Sequence, residues 1–374
     1  MTTTTVTDAA VFDGTDLLDG RYDVTFEGAL ITRVAPADQA ATAPVGEHVD
    51  GSGATLLPGL IDAHVHFSSP QQLVELARWG VTTALDMGTW PPAFVQELRA
   101  AAAGCDLRSS GAPLAGPAGT HSRMPAFPRE NLVSTADQAR SRVAAQVEEG
   151  IDHLKLIFER PGEGGLERET ARAAVQAAHA SGLRVVAHAG NTGAVALASA
   201  AGVDVLTHAP LDAALDEDAV RAIVDAGRVV VPTLTMMRGA AAHLAVPGLS
   251  YDNACAAVGA LHRAGAVLVA GTDANDAPGV HASVPYGSSL HDELGLLVEA
   301  GLRPTEALRA ATGTAAVAFG LGDRGAVRPG LRADLLLVEG TPTTDIDATR
   351  AIRRVWITGG GVDAADHTAP EATR

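Results

Sequence analysis

Hydrophobic positions change their spacing twice along the chain. From residue 1 to about 55 they come in short strand-like runs, such as Asp23-Val24-Thr25-Phe26 and Leu30-Ile31-Thr32-Arg33-Val34, cut by Gly and Pro and without a helical period. From about 56 to 320, short apolar runs alternate with Ala-rich amphipathic stretches. The runs predict strands at Leu60–His66, Val81–Asp86, Leu107–Ala112, His153–Phe158, Leu183–His188, Val203–His208, Val229–Leu234 and Ala266–Asp273. Helices are predicted between them, for example over Ala136–Glu149, Glu167–Ser181, Asp216–Ala226 and Tyr251–Ala264. Eight strands alternating with helices predict an α/β fold, a (β/α)8 TIM barrel over residues 56–322. Beyond it the strand texture returns at Gly325–Val327, Ala333–Glu339 and Val355–Thr358. Neither end closes a core alone, so residues 1–55 and 323–362 are predicted to build one small β-sandwich together. Residues 363–374 carry Pro, Thr, Ala and charge without period, which predicts a disordered tail.

Composition narrows the class. The chain has 374 residues, 47% of them hydrophobic, and no apolar run of membrane-spanning length, so a soluble protein with a large core and no membrane partner is expected. A formal charge of −17 argues against nucleic acid or an anionic membrane surface as partner. Met1-Thr2-Thr3-Thr4-Thr5 lacks the basic and apolar regions of a secretion signal, and two cysteines, Cys105 and Cys255, make no disulfide framework. A cytoplasmic location is the expectation. Of 27 basic side chains, Lys155 is the only lysine, which makes it a candidate for a position that requires a primary amine, with chance survival as the alternative.

The candidate chemistry starts at Leu56-Leu57-Pro58-Gly59-Leu60-Ile61-Asp62-Ala63-His64-Val65-His66. Alternate residues of a strand share a face, so Asp62, His64 and His66 point the same way, and two imidazoles at i and i+2 make half of a divalent-metal site. Active sites of such barrels lie at the C-terminal strand ends. Strand five ends in His188, strand six in His208 and strand eight in Asp273, while strand four carries Lys155. Neutral imidazoles and a carboxylate suit Zn²⁺ and similar ions, which turn a bound water into hydroxide near neutral pH. A protonated Lys cannot ligate a cation, so Lys155 must be neutral or converted to an anion.

The run Leu57 to His66, with the strand ends that follow it in order, resembles the first-strand motif and metal-ligand series of the amidohydrolase superfamily. Gly150 to Leu156, Gly271-Thr272-Asp273-Ala274 and Glu293 to Pro304 resemble most its imidazolonepropionase-like branch, which includes Xaa-Pro dipeptidases. Arg328 to Leu335 is similar to that family's return into its β-sandwich. The resemblance implies a binuclear centre with two divalent ions, Zn²⁺ by default. His64, His66 and Asp273 would hold one ion and His188 and His208 the other, with a carboxylated Lys155 bridging both. It further implies hydrolysis of an amide bond in a small molecule, an Xaa-Pro dipeptide, N-acyl amino acid or cyclic amide. A bridging hydroxide would attack, with Asp273 as general acid and base. His121 and Arg123, in a loop loosely similar to the family's Gly-Gly-His loop, and Arg238, after strand seven, are candidate substrate contacts. Asn275, Asp276, His281 and His291 follow strand eight and read as loop and helix-cap residues. A homo-oligomer is expected. The alternatives on the same barrel are a mononuclear deaminase of a nucleobase-like ring, which gives Lys155 no task, and a lactone or phosphoester hydrolase.

Overall fold

The computed structural model describes residues 2–39, 46–101, 104–124, 126–244, 246–277, 280 and 282–364. The expected tail from residue 365 on, and His281, lie outside the described residues.

The strands expected between residues 56 and 322 form as Leu60–Val65, Val81–Asp86, Asp106–Ser109, Leu154–Ile157, Val185–His188, Val205–Thr207, Val229–Val231 and Val267–Leu268. All pair in parallel, the first three in one sheet and the other five in a second. Where a continuous barrel was expected, the hydrogen-bonded ladders stop at two seams. Single bridges cross them, Val65 with Ala274 and Leu114 with Leu156. Backbone bonds reinforce both, from Asp273 N–H to His64 O at 2.8 Å and from Leu114 N–H to Lys155 O at 2.9 Å. The third strand ends at Ser109, short of the expected Ala112. Gly111 there takes the left-handed φ of 58°, and Pro113 has no amide hydrogen to donate.

Neighbouring residues on a strand face opposite ways. Val185 and Ala187 pack into the core that the helices share. Val186, Val205, Val229 and Val231 instead pack with Ile61, Ala63 and Leu85 of the other sheet, with Met87 just past its second strand, and with Ala315, Ala316 and Leu321. The two parallel sheets thus surround a common apolar cluster. Leu154 and Leu156 belong to the helix-side core, so Lys155 between them faces the shared side. Local rules set the helices: the one at Ala136–Glu149 begins where Thr135 Oγ1 accepts the Gln138 N–H at 3.2 Å and stops at Gly150, whose φ is 83°. Among the described residues no helix is long and apolar enough to cross a membrane.

Strands from both ends of the chain pair in one sheet. Its eight strands are Thr3–Val11, Tyr22–Glu27, Leu30–Pro36, Glu47–Asp50, Ala54–Pro58, Leu335–Glu339, Ile352–Ile357 and Gly360–Val362. The strand expected at residues 325–327 is irregular chain, because Gly325 turns it with a φ of 83° and Val327 N–H bonds Asp13 O at 3.1 Å instead of a ladder. In place of two stacked layers the hydrogen bonding makes a single sheet. Tyr22–Glu27 and Ile352–Ile357 lie four inter-strand steps apart in its order, which is ~19 Å in a flat sheet. The rings of Phe26 and Trp356 on these strands are nevertheless 5.5 Å apart. The sheet therefore curls back on itself around Val6, Val24, Ile31, Leu56, Leu335 and Leu337. The alternate positions Leu57, Leu336 and Val338 face the core of the strand–helix body and join the two parts.

Candidate metal centre

His64, His66, His188, His208 and Asp273 all stand at or just beyond the C-terminal ends of parallel strands. Asp62, fully buried, ties the first of these to the last. Its Oδ1 accepts the N–H groups of His64 at 3.1 Å and Thr272 at 3.0 Å, and its Oδ2 accepts the Thr272 hydroxyl at 2.7 Å. Burial drives its carboxyl up to about 7 against those bonds. Gly271 closes the same seam, since a Cβ there would lie 2.6 Å from Val231 and 2.9 Å from the His64 nitrogen. Asp62, on the strand face that His64 and His66 share, thus acts as a backbone staple between the first strand and the Thr272 segment.

Asp273 sits at the middle of the cluster. His66 Nε2 is 3.1 Å and His64 Nε2 3.5 Å from its Oδ1, and His208 Nδ1 is 3.8 Å from its Oδ2. Ring centroids step across the site, 5.3 Å from His64 to His66, 4.9 Å from His64 to His208 and 4.4 Å from His208 to His188. Potential ligand atoms of His64, His208 and Asp273 all fall within 4.8 Å of one another. Lys155, 2% exposed, gives a hydrogen bond of 2.9 Å from Nζ to Thr207 Oγ1 and lies in electrostatic reach of His64, His188, His208 and Asp273.

Electrostatics favours neutral imidazoles and an ionised carboxylate. Burial first, then the Lys155 charge, holds His64 well below the usual histidine range; burial and the neighbouring His208 do the same to His188. Burial brings His208 down to about 3 and Lys155 down to about 7, in each case against the pull of Asp273. His66 is the exception, because Asp273 outweighs burial and raises it. Burial pushes Asp273 upward, yet His66, His208 and Lys155 together keep it below the ordinary carboxylate value. Among the described residues His64 Nδ1 and Asp273 Oδ1 are buried without a regular hydrogen bond, His66 Nε2 standing 3.1 Å from that oxygen. Buried polar atoms are ordinarily satisfied. Orphaned donors to a cation, on neutral imidazoles beside a carboxylate, fit a divalent ion.

The remaining expected residues divide. His121 reaches the cluster, 4.9 Å from the His188 ring. Arg123, in the short turn His121–Arg123, and Arg238, on the helix Leu234–Leu244, are exposed. His291 is buried away from the loops, bonding Thr349 Oγ1 at 2.9 Å and Trp79 O at 3.0 Å, so it joins elements instead of capping a helix. Asn275 Oδ1 accepts the Ala277 N–H at 2.9 Å, and Asp276 accepts from Ser68 at 2.9 Å and Gln72 at 2.8 Å.

Several residues at the site escaped sequence reasoning. Thr233 Oγ1 lies 2.9 Å from His208 Nδ1. Glu159 Oε1 accepts the Thr120 N–H at 2.8 Å and lies 3.5 Å from His121 Nδ1. Glu293, fully buried, accepts from Leu234 N–H at 2.9 Å, and from Thr235 N–H at 2.7 Å and its hydroxyl at 2.8 Å. The available signals were Glu159, an acidic residue just past the strand that carries Lys155, and Glu293, the first residue of a segment that resembles the family; Thr233 shows none.

The model of the amidohydrolase family matches residues 55–362. An imidazolonepropionase of Deinococcus deserti is 38% identical over 128 residues, 33% of this chain and 29% of that protein. An adenine deaminase of Nitratidesulfovibrio vulgaris is 28% identical over 335 residues, 86% of this chain and 53% of that protein. The chain thus spans about half or less of the length of these curated relatives. Among solved structures, a Xaa-Pro dipeptidase with methionine bound in its active site superposes with a TM-score of 0.83 at 21% identity, covering 96% of this chain and 99% of that one, which is a likeness of fold. On the match over residues 55–362, the chain belongs to the amidohydrolase family.

Proposed function

We propose that this chain hydrolyses an amide C–N bond of a small molecule, such as an Xaa-Pro dipeptide, an N-acyl amino acid or a cyclic amide, at a binuclear metal centre. In this reading the parallel strands of residues 56–322 act as a (β/α)8 barrel that carries the chemistry, with the curled sheet of the terminal strands beside it. His64, His66 and Asp273 would hold one divalent ion and His188 and His208 a second, with Lys155, as its carbamate, a ligand available to both; Zn²⁺ is the expected metal. The observation that carries the reading is the cluster of five such side chains at one set of strand ends, with Lys155 buried against it. When bound, the ions would supply an acidified water and polarise the scissile carbonyl.

The chain's own groups do the rest. Asp273 Oδ1, buried and unsatisfied, takes the proton of the attacking water and hands it to the leaving nitrogen. His121, beside Glu159 and 4.9 Å from the His188 ring, would contact the substrate, and the exposed Arg123 and Arg238 would pair with a substrate carboxylate.

A second reading has an observation of its own. Among the described residues the donors of His64, His208 and Asp273 converge within 4.8 Å, enough for a single ion, and the likeness to adenine deaminase extends over 86% of this chain. That combination suits a mononuclear deaminase of a nucleobase-like ring.

Metal analysis of protein purified without chelators, together with a hydrolysis screen of Xaa-Pro dipeptides, N-acyl amino acids, lactams, lactones and adenine, separates the two. About two ions per chain, amide hydrolysis, and loss of both with Lys155→Ala are expected. One ion, and a Lys155→Ala variant that keeps its metal and deaminates, would sink the binuclear reading.

A further inference from the structure

Lys155 is the only lysine of the chain and is 2% exposed. An ammonium group carries three N–H donors. Among the described residues the hydrogen bond recorded for Nζ is one, to Thr207 Oγ1 at 2.9 Å. Thr207 in turn donates its only hydroxyl proton to Ala187 O, also at 2.9 Å. A hydroxyl has one proton and accepts through its lone pairs, so with that proton committed Thr207 faces Nζ as an acceptor. Both bonds are fully buried, and Thr207 itself has no exposed surface.

One acceptor is a poor match for an ammonium and a good match for a carbamate, whose nitrogen keeps a single N–H. We propose that Thr207 is the positioning residue that selects and orients the carboxylated form of Lys155. The inference rests on the carboxylation proposed above and deepens it. Carboxylation adds carbon dioxide: the neutral amine of Lys155 forms an N–C bond to it, one C=O electron pair moves onto oxygen, and one amine proton leaves to solvent. The remaining N–H is the one that Thr207 Oγ1 accepts. Because the carbamate is planar, pinning that N–H fixes the plane of the group and turns its two oxygens away from Thr207.

The pairing follows from register. Val186 pairs with Lys155 on one side and with Val205 on the other, and His188 pairs with Thr207. Thr207 therefore lies across one intervening strand and two positions further along than Lys155, which a lysine stem of four methylenes spans. Leu206 packs on the helix side, so Thr207 shares the face of Lys155.

The test compares wild type, Thr207→Val, Thr207→Ser and Lys155→Arg after equilibration with ¹³C-bicarbonate. Carbamate is read as its ¹³C resonance, and bound divalent metal by elemental analysis. Wild type is expected to show one carbamate per chain, Lys155→Arg none, Thr207→Val a several-fold loss of carbamate and metal together, and Thr207→Ser recovery of most of both. If Thr207→Val does not melt cooperatively, Thr207→Ala takes its place. Unchanged carbamate in the variant lacking the hydroxyl overturns the role of Thr207 while leaving the binuclear reading standing, and so does an equal loss in Thr207→Ser, which would mean that shape and not the hydroxyl matters. A wild type without carbamate overturns both.

Discussion

His208, Thr233 and Asp273 hold φ values of 75°, 49° and 61°, in a region that L-residues rarely adopt and that is most unfavourable for β-branched threonine. Such positions cost on the order of 1–3 kcal/mol each and persist where surrounding contacts over-determine them. Here those contacts are visible: Thr233 Oγ1 meets His208 Nδ1, and Asp273 N–H bonds His64 O. The residue types at this site were readable in the sequence, because histidines recur at the ends of apolar runs. Their contorted backbone was not, since nothing local distinguishes Thr233 from any other threonine after a strand. If Asp273 is the proton carrier, Asp273→Asn lowers kcat on the preferred amide by on the order of 10²- to 10⁴-fold. Steady-state kinetics at saturating metal checks this, and a variant with wild-type turnover refutes the assignment.

At the scale of elements, the helix Leu234–Leu244 starts on Thr233, and Glu293 from the helix Ser288–Glu299 accepts its first free amides. One carboxylate thus holds the helix whose leading turn supports His208. Its position on an apolar helix face among Leu290, Leu294 and Leu297 gives no hint of partners 58 and 59 residues away. Burial raises this carboxyl from 4.5 to about 7, against the bonds from Thr235 and Leu234. A carboxyl raised on folding binds its proton more tightly in the folded state, so its contribution is whole below pH 4.5 and is lost as pH rises through 7. The loss amounts to about 3 kcal/mol. Urea unfolding of wild type and Glu293→Gln at pH 4.5 and pH 8 is expected to show the wild type losing stability relative to the variant by roughly that amount. Parallel pH profiles would contradict it.

For the whole molecule, the two ends of the chain are held to the strand–helix body by the curled sheet and by one buried cation. Arg324, its side chain 2% exposed, bonds Thr83 Oγ1 and Asp106 Oδ2 on two parallel strands as well as its neighbour Asp323. It ties the returning C-terminal segment beneath the apolar cluster that both parallel sheets share. Trp356 packs edge-on against Phe26 where the sheet closes on itself. Trp356→Ala is expected to cost about 3–5 kcal/mol through the cavity it leaves, read as a lower denaturant midpoint in a single transition, because strands from both ends unfold with that core. A separate early transition that leaves the remaining strands folded would show that the sheet is an independent unit.

Short-range pattern reports which face of a segment is buried, and for this chain it was enough to establish the alternation of strands and helices, the helix at Ala136–Glu149 and the row of histidines with Asp273 at the strand ends. Partners brought together from distant positions depend on strand order and register, which no local period encodes. That is why Lys155 meeting Thr207 across 52 residues, Glu293 meeting Thr235 across 58, and one curled sheet where two layers were expected emerged only in the folded molecule. The identity of each side chain names the chemistry it can do; the register of the parallel strands chooses which of them do it together.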